Sequence, residues 1–342
     1  MNSSINQEIP LVSVCIPVYN GEKYIEQCIN SVLSQNLKDF ELLILDNCSL
    51  DSTATIITNI KDERIRYIKN DTNIGSINNF NKCIELASGE YFLLLPHDDL
   101  LLPGSLRKFV DILADSSIGF TYSAIQVIDE NSEILSTKIN HTEDQLFKFE
   151  AAIKDIVDHF VPIQLAMART DIIKNMIKFD VKYGLLCDIQ FWLRIIFDDW
   201  NTFYHSQPLS CHRVHSMQGQ NAFMNSDIDT ISHHWGKKLD KNFWKENSYN
   251  NLFLKLSDFI LEEMAGKTYS THHLEKMLLK IFIRFHLRSI LNALIKINGF
   301  ILLNEILIFK PLIKKYGLLR LLLFYPLVGI YELQNKIGFK KK

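Results

Sequence analysis

The stretch that decides the fold is Glu90-Tyr91-Phe92-Leu93-Leu94-Leu95-Pro96-His97-Asp98-Asp99. A short apolar run bounded by breakers is typical of a β-strand that is buried on both faces. Ligands of an open α/β sheet bind beyond the carboxyl ends of its strands, so we expect Asp98 and Asp99 at the mouth of a site. Two adjacent carboxylates favour a divalent cation, Mg²⁺ or Mn²⁺. Alternatively, the two acids cap a helix that begins near Pro103.

Three similar apolar runs precede this stretch, and each is followed by apolar residues at helical spacing. The predicted strands are Leu11–Val18, Phe40–Leu45 and Ile65–Ile68, and the predicted helices are Glu22–Gln35, Asp51–Ile60 and Ile77–Ala87. Strand and helix thus alternate four times, which predicts an α/β fold with a mostly parallel, doubly wound sheet flanked by helices. The loops after strands one, two and four then meet at one edge of the sheet. We expect this edge to bring together Asn20, Asp46, Asp98 and Asp99.

Composition and charge divide the chain of 342 residues. With 47% hydrophobic and 22% charged residues it is an ordinary globular sequence that can bury a core. Residues 275–342 carry 13 Lys and Arg against 3 Asp and Glu, whereas the remainder carries 24 against 36. We predict a flexible N-terminus at 1–9, an α/β domain at 10–225 and a helical, basic, amphipathic region at 226–342. The charge split suggests that residues 275–342 have their own partner.

Cysteine spacing and hydropathy indicate the cellular compartment in which we expect the protein. The six cysteines are scattered and form no C-x-x-C pair, which argues against a disulfide framework and against a cysteine-based zinc site. Residues 1–10 contain no signal-peptide core, and no stretch reaches the roughly 18–20 apolar residues that a membrane span needs. We therefore expect a cytoplasmic, non-spanning protein.

Four motifs in this order resemble the family-2 glycosyltransferases. They are S-V-C-I-P-V-Y-N-G-E-K-Y from Ser13, D-N-C-S-L-D-S-T from Asp46, N-I-G followed by A-S-G-E-Y-F-L-L-L-P-H-D-D, and C-D-I-Q-F-W-L-R-I from Cys187. The resemblance covers about residues 10–217. It implies the A-type glycosyltransferase fold and an inverting transfer from a nucleotide-diphosphate sugar, which we expect to be a UDP-sugar.

The resemblance also implies a role for individual residues. Asp188 falls on the position of the catalytic base. Metal ligands fall on Asp98, Asp99 and His215, and the implied cofactor is Mg²⁺ or Mn²⁺. Substrate-binding positions fall on Pro17, Tyr19, Asn20, Glu22, Asp46, Asn47, Gly75, His97 and Asp98.

This sequence departs from the family pattern at three acids. The usual D-D-G-S is D-N-C-S at Asp46, the first acid of D-x-D-D is Pro96, and the usual acid before Asp188 is Cys187. The alternatives are purely structural roles. Asp188 would be an acid in the first turn of a helix, and Asn20, Asp46 and His97 would be turn residues. His212 is expected to be an ordinary surface or hydrogen-bonded histidine, whereas for His215 that reading and a ligand role stay equally open. The aromatic residues of the last motif, Phe191 and Trp192, are expected in the core.

The chemistry of an inverting transfer needs few groups. A carboxylate takes the proton of the acceptor hydroxyl, and a divalent metal offsets charge on the departing diphosphate. Basic amphipathic helices at residues 275–342 favour contact with an anionic membrane, or else pack on the catalytic domain. Membrane contact predicts a peripheral protein on the inner face of the cell membrane and a lipid-linked saccharide acceptor in cell-surface polysaccharide biosynthesis.

Two other functions fit parts of the sequence. The missing acids would suit a non-catalytic sugar- or nucleotide-binding protein on a decayed transferase fold. Paired acids on an α/β sheet would also suit a nucleotidyltransferase, but the Gly-rich phosphate loop of that class is absent near the N-terminus. Nucleic acid is not an expected partner, because no aromatic and basic single-strand platform is visible.

Overall fold

The computed structural model describes residues 9–159, 166–175 and 178–215, together with residues 259, 260 and 263. The chain forms two compact units, Met1–Asp240 and Lys241–Lys342. Of the three described residues in the second unit, Phe259 and Ile260 are helical and buried. The predicted N-terminal segment 1–9 and the basic amphipathic region 226–342 lie almost wholly outside the described residues.

The described part of the first unit alternates strands and helices as the apolar runs predict. The strands are β1 (Val12–Val18), β2 (Phe40–Asp46), β3 (Ile65–Lys69), β4 (Tyr91–Leu94), β5 (Leu100–Leu101), β6 (Ile118–Ile128), β7 (Ile134–Lys138), β8 (Gln145–Phe147), β9 (Ala166–Arg169) and β10 (Asn201–Arg213). The α-helices are α1 (Ile25–Leu33), α2 (Thr53–Asn59), α3 (Ser76–Leu86), α4 (Ser105–Leu113), α5 (Phe149–His159), α6 (Thr170–Asn175) and α7 (Cys187–Phe197), and a 3₁₀ helix covers Val181–Leu186.

All ten strands of the described residues belong to one sheet. Its order is β3-β2-β1-β4-β9-β6-β10-β5, with β7 beside β6 and β8 beside β10. The pairs β3–β2, β2–β1, β1–β4 and β6–β10 are parallel, which confirms the predicted mostly parallel, doubly wound α/β sheet. Between the two parallel groups lies β9, which is antiparallel to both β4 and β6.

Both faces of the sheet are covered, which explains why β1 and β4 are continuous apolar runs. Every residue of β1 is buried. Its alternate residues Val12, Val14, Ile16 and Val18 pack in one core with apolar side chains of α1 and α4. On the other face, the Cys15 thiol contacts the Cys83 carbonyl of α3. A strand that packs against helices on both sides has no position for a solvated side chain.

A close backbone contact explains the glycine that precedes β4. A Cβ atom built on Gly89 would lie 2.5 Å from the Ser13 backbone nitrogen and 2.7 Å from the Val12 carbonyl carbon. Its own amide donates to Ser13 Oγ at 2.8 Å. Backbone atoms cannot give way as a flexible side chain can, so only glycine fits where β4 enters the sheet beside β1.

The helix-capping alternative for Asp98 and Asp99 is wrong. The short strand β5 follows them, and α4 begins later, at Ser105, with Gly104 at its N-cap. The two acids therefore lie in the turn between β4 and β5, where the Asp99 amide donates to the Pro96 carbonyl at 3.1 Å. This position is the carboxyl end of β4, as the site hypothesis requires.

Two further expectations are met within the described residues. All six cysteines are free thiols, and five of them are buried. Phe191 and Trp192 are each 1% exposed; Trp192 stacks on Phe120 with ring centroids 4.3 Å apart, and Phe191 stacks on Phe179 at 4.1 Å. They are core residues, as predicted.

No helix within the described ranges is both long enough and apolar enough to cross a bilayer.

Candidate active site

The loops after β1 and β2 are interlocked by side chain-to-backbone hydrogen bonds. Asn20 has a positive φ of 50°, its amide donates to Ser49 Oγ at 2.9 Å, and its Oδ1 accepts from the Leu50 amide at 2.9 Å. Asparagine tolerates this left-handed conformation better than most residues. Asn20 therefore fixes a turn, and its exposed position at the sheet edge leaves it facing solvent.

Glu22 and Gly21 extend the same junction to α2 and to the β4 loop. Glu22 Oε2 accepts from the Ser52 amide at 3.0 Å, and the Gly21 amide donates to Thr53 Oγ1 at 2.8 Å. A Cβ atom at position 21 would lie 2.6 Å from Cδ2 of His97. The loops after β1, β2 and β4 are thus in direct contact, as the topology predicted.

Asp46, at the end of β2, is a buried carboxylate with both oxygens in use. Oδ1 accepts from the Ser49 amide at 2.7 Å, and Oδ2 accepts from the Tyr67 hydroxyl at 2.8 Å. Burial and this hydrogen bond raise the pKa of Tyr67, so the hydroxyl stays a donor. Lys69 Nζ lies 3.8 Å from Oδ2. These contacts therefore hold the Asp46 carboxylate in one orientation.

Asn47 explains one departure from the family motif. Its Oδ1 accepts from the Ile74 amide and from Asn70 Nδ2, both at 3.0 Å, while its Nδ2 donates to Asn73 Oδ1 at 2.8 Å. An aspartate cannot donate that last bond. Asn73 Oδ1 also accepts from the amide of Gly75, whose φ is 82°. The amide at position 47 therefore holds the turn before α3.

Cys48 occupies the glycine position of that motif and has a positive φ of 68°. For a residue with a Cβ atom this conformation costs roughly 1–2 kcal/mol. The backbone of the D-N-C-S turn thus keeps the shape that glycine would adopt freely, at a cost that the Asp46 and Asn47 hydrogen bonds offset.

Asp98 and His215 meet at the carboxyl ends of β4 and β10. His215 Nε2 lies 3.0 Å from Asp98 Oδ2. Burial favours the neutral form of Asp98, yet the hydrogen bond with His215 and the nearby His97 outweigh it and lower the pKa of Asp98 to about 2. Asp98 is therefore ionised at neutral pH. The pair offers one carboxylate oxygen and one imidazole nitrogen at the same point.

Asp99 points into the protein instead. It is fully buried, Oδ1 accepts from the Arg213 amide at 2.8 Å, and the His212 ring nitrogen lies 3.3 Å from Oδ1 and 3.4 Å from Oδ2. Burial and the charge of Asp98 raise the pKa of Asp99. The hydrogen bond to Asp99 raises the pKa of His212 in spite of burial. The expected ordinary, hydrogen-bonded histidine is thus present, but its partner is an acid of the candidate site.

Arg213 is a site residue that the sequence reasoning missed. It is 0% exposed; Nε donates to the Asp98 carbonyl at 2.8 Å, Nη1 to the Asp129 carbonyl and Ser132 Oγ at 3.0 Å, and Nη2 to Gln27 Oε1 at 3.0 Å. Its guanidinium also lies over the ring of Tyr24, 4.6 Å from the centroid. The available signal was the run Cys211-His212-Arg213-Val214-His215 at the end of a strand.

The other predicted residues are distributed over the same edge and one further helix. Pro17 lies near the end of β1 opposite Leu45, and Tyr19 follows that strand, half-buried. His97 is half-buried in the turn after β4. Asp188 lies in the first turn of α7, where its Oδ1 accepts from the Ile189 amide at 2.8 Å. A first-turn acid is favoured by the helix dipole, so this position alone explains its presence without chemistry.

The donor set at Asp98 and His215 fits a divalent cation. Carboxylate oxygen suits Mg²⁺ and Mn²⁺, and an imidazole nitrogen is acceptable to Mn²⁺. Asp99 fits less directly, because its oxygens already accept hydrogen bonds from Arg213 and His212. It can serve a cation only by exchanging one of those bonds.

Comparison with known proteins agrees with this architecture. Residues 13–177 match the family model described as Glycosyl transferase family 2. The chain is 30% identical over 270 residues to the uncharacterized glycosyltransferase MJ1057 of Methanocaldococcus jannaschii, an alignment that covers 74% of this chain and 92% of that protein. The chain belongs to glycosyltransferase family 2. It is therefore a glycosyltransferase, and the resemblance inferred from the four motifs is confirmed.

Two other proteins similar to this glycosyltransferase are informative. One is the UDP-Glc:alpha-D-GlcNAc-diphosphoundecaprenol beta-1,3-glucosyltransferase WfgD of Escherichia coli, 32% identical over 122 residues, or 36% of this chain and 48% of WfgD. The other is the crystal structure of S. aureus TarS 1-349 in complex with UDP-GlcNAc, with a TM-score of 0.55 and 18% identity over 82% of this chain and 86% of that chain. At that identity the likeness to TarS shows a common fold.

Replacing Arg213 by lysine is expected to destabilise the glycosyltransferase by about 2–4 kcal/mol. A lysine ammonium cannot reproduce the planar fork, so several buried acceptors lose their donors. Urea unfolding of the Arg213→Lys and wild-type proteins measures the difference. The matched control is Arg107→Lys on α4, where the arginine is exposed and the expected change is within about 0.5 kcal/mol. Equal unfolding midpoints for the two variants would contradict the positioning role of Arg213.

Proposed function

We propose that this glycosyltransferase is an inverting, metal-dependent enzyme that moves a sugar from a UDP-sugar to a lipid-linked saccharide acceptor in cell-surface polysaccharide biosynthesis. The observation that carries the proposal is the ionised Asp98 carboxylate beside His215, at the edge where the loops after β1, β2 and β4 meet. This edge is where ligands of α/β sheets bind.

The nucleotide end of the donor is assigned to the loops after β1 and β2. Asp46 would accept a hydrogen bond from a base N–H, using lone pairs that Ser49 and Tyr67 leave on its oxygens. Pro17, Tyr19, Asn20 and Glu22 would border the base and ribose. Asn47 and Gly75 would act through the turn before α3, whose hydrogen bonds they make.

The diphosphate end is assigned to the β4 loop. Asp98 and His215 would hold Mg²⁺ or Mn²⁺, with Asp99 as a further ligand after one of its internal hydrogen bonds is given up, and His97 would border the sugar. When bound, the cation offsets the charge of the departing diphosphate. Arg213 and His212 would position the two acids, because they bind the Asp98 carbonyl and the Asp99 carboxylate.

The transfer itself needs a base, for which we propose Asp188. The acceptor hydroxyl oxygen forms a bond to the anomeric carbon as the bond from that carbon to the diphosphate oxygen breaks. The hydroxyl proton passes to a carboxylate oxygen of Asp188. Attack opposite the leaving group inverts the anomeric configuration.

The donor and acceptor classes rest on relatives. WfgD carries a UDP-sugar donor and a diphosphoundecaprenol-linked acceptor in its name, and TarS was solved with UDP-GlcNAc. A lipid-linked acceptor also suits the basic residues of 275–342, which would hold the enzyme at an anionic membrane as a peripheral protein on the inner face.

Donor binding is expected to require both one nucleotide and a divalent metal. Thermal unfolding would be measured with UDP-, GDP-, dTDP- and CMP-sugars, each with Mn²⁺ and each with a chelator. A ligand at 100 times its dissociation constant stabilises the folded state by about 2.7 kcal/mol, a rise on the order of 5 °C. The unfolding temperature is expected to rise with UDP-sugars when Mn²⁺ is present, and to stay unchanged with the other donors or with the chelator.

The matched variant for this panel is Asp98→Ala, since Asp99 is buried and its removal would disturb the fold. The unfolding temperature of Asp98→Ala should stay unchanged when UDP-sugar and Mn²⁺ are added, whereas that of the wild-type protein should rise. A rise that is the same in chelator would refute the metal assignment. No rise with any donor would favour a sugar-binding protein on a decayed transferase fold.

Asp188→Asn is expected to bind donor as the wild-type protein does and to transfer sugar about 10²–10⁴-fold more slowly, the usual contribution of a general base. Donor affinity and single-turnover transfer would be measured on the same preparation. The control is Asp198→Asn, an exposed acid at the other end of α7. If Asp188→Asn transfers sugar at the wild-type rate, Asp188 is not the base and only interacts favourably with the dipole of α7.

Deletion of residues 275–342 is expected to abolish flotation with vesicles that contain anionic phospholipid. The reason is the loss of 13 basic side chains, each worth about 1 kcal/mol near an anionic surface. The full chain should float with anionic vesicles and remain behind with purely zwitterionic ones. Equal flotation of the truncated and full chains would remove the membrane role of this segment.

A further inference from the structure

A second group of metal-ligating side chains lies outside the candidate active site. His141 is in the loop between β7 and β8, and Asp155 and His159 are on α5. Asp155 Oδ1 is 2.5 Å from His141 Nε2 and 2.7 Å from His159 Nδ1. The three donor atoms lie within 4.8 Å of one another, the only such group of three found within the described ranges.

Sequence spacing and packing hold these side chains together. Asp155 and His159 are four residues apart, so they share one face of α5. From β6, the Tyr122 hydroxyl donates to Asp155 Oδ2, which orients the carboxylate. The His141 ring packs against Tyr204 of β10, with centroids 5.2 Å apart, and against His159 at 5.0 Å. One strand, one loop and one helix thus contact a single carboxylate, and a second strand packs on the His141 ring.

A bound cation would stabilise the buried carboxylate of Asp155. This residue is 3% exposed, and a buried carboxylate is costly unless positive charge and hydrogen bonds compensate it. A divalent cation held by both imidazoles and the carboxylate would add positive charge at this point.

We propose that His141, Asp155 and His159 bind one zinc ion. Two imidazoles and one carboxylate are a donor set that zinc accepts with tetrahedral geometry, leaving the fourth position to water. Mg²⁺ and Ca²⁺ prefer sites made of oxygen alone, so this donor set disfavours them. The Tyr122 hydroxyl on Asp155 is the kind of outer partner that orients a metal-binding carboxylate.

The present distances are those of hydrogen-bonded pairs. With zinc–ligand bonds of about 2.0–2.1 Å, the ligand atoms of a tetrahedron lie about 3.3–3.4 Å apart. The two nitrogens must therefore each move less than about 1 Å from Asp155 Oδ1. His159 has a side chain that is 30% exposed and His141 one that is 27% exposed, so neither is locked inside a packed core.

Zinc at this position would fasten α5 to the loop that leads into β8. Since β8 pairs with β10, the ion would support the strand whose end carries Arg213 and His215. This structural role is independent of the proposed donor and acceptor. It is also formed by other residues than the Asp98 site, for which Mg²⁺ or Mn²⁺ is proposed.

The test uses the full chain, stripped with a chelator and titrated with Co²⁺, a spectroscopic substitute for zinc. The expected result is one equivalent with the intense visible bands of tetrahedral Co²⁺, bleached by a stoichiometric amount of Zn²⁺. Asp155→Asn and His141→Gln should lose these bands. Tyr122→Phe should keep them with about 10–100-fold weaker affinity.

Two controls separate this site from others. His205→Gln removes a histidine of the same sheet that pairs with Asp144, and Asp98→Asn removes the proposed ligand of the active-site metal. Both should retain the tetrahedral bands. Where circular dichroism shows that Asp155→Asn does not fold, His159→Gln at the accessible end of α5 decides the question by a loss of at least tenfold in affinity.

Three results would overturn the proposal. The first is a wild-type protein that gives no tetrahedral bands and takes up no stoichiometric zinc. The second is a spectrum that survives Asp155→Asn in a folded protein, or an affinity unchanged by His159→Gln. The third is loss of the bands in Asp98→Asn, which would assign them to the active-site metal.

Discussion

The buried carboxylate of Asp99 is the constraint around which the candidate site is built. A charge that is 0% exposed needs donors, and the Arg213 amide and His212 ring that supply them come from the end of β10. Residues more than one hundred positions apart in sequence are thereby held at one point. The same arginine binds the Asp98 carbonyl, so the turn after β4 cannot move without breaking buried hydrogen bonds on both sides.

Replacement of one family acid by an amide, at Asn47, follows the same logic. Asn47 both accepts and donates, and its three hydrogen bonds close the turn that ends at Gly75. A carboxylate would leave the Asn73 oxygen without that donor and would place a second negative charge near Asp46. The departure from the family motif is therefore a different way of holding the turn before α3.

Much of this architecture could be predicted from the sequence, because the spacing of apolar residues indicates which side chains are buried. The apolar runs that became β1, β2 and β4 are buried on both faces, so a parallel, doubly wound sheet was the consistent solution. The antiparallel insertion of β9, a four-residue strand, has no local signature. Short strands are placed by their neighbours, and sequence patterns do not contain that information.

The site was predictable at the level of loops and less so at the level of atoms. Strand ends alone brought Asn20, Asp46 and Asp98 to one edge. Arg213 was missed because a single arginine in an extended segment is usually a solvated side chain, and only the tertiary structure gives its guanidinium a complete set of acceptors. The His141–Asp155–His159 group was invisible for the same reason, since the first histidine is separated from the helix by β8.

The two adjacent acids of the turn after β4 lie in different surroundings. The Asp99 amide closes the turn onto Pro96, and the side chains of Asp98 and Asp99 extend in different directions, to different partners. One direction leads into the protein, where burial raises the pKa of Asp99 and demands fixed donors. The other leads to His215, where the hydrogen bond keeps Asp98 ionised. The buried acid thus holds the turn, and the other stays ionised beside His215 at the edge of the sheet where the proposed cation would bind.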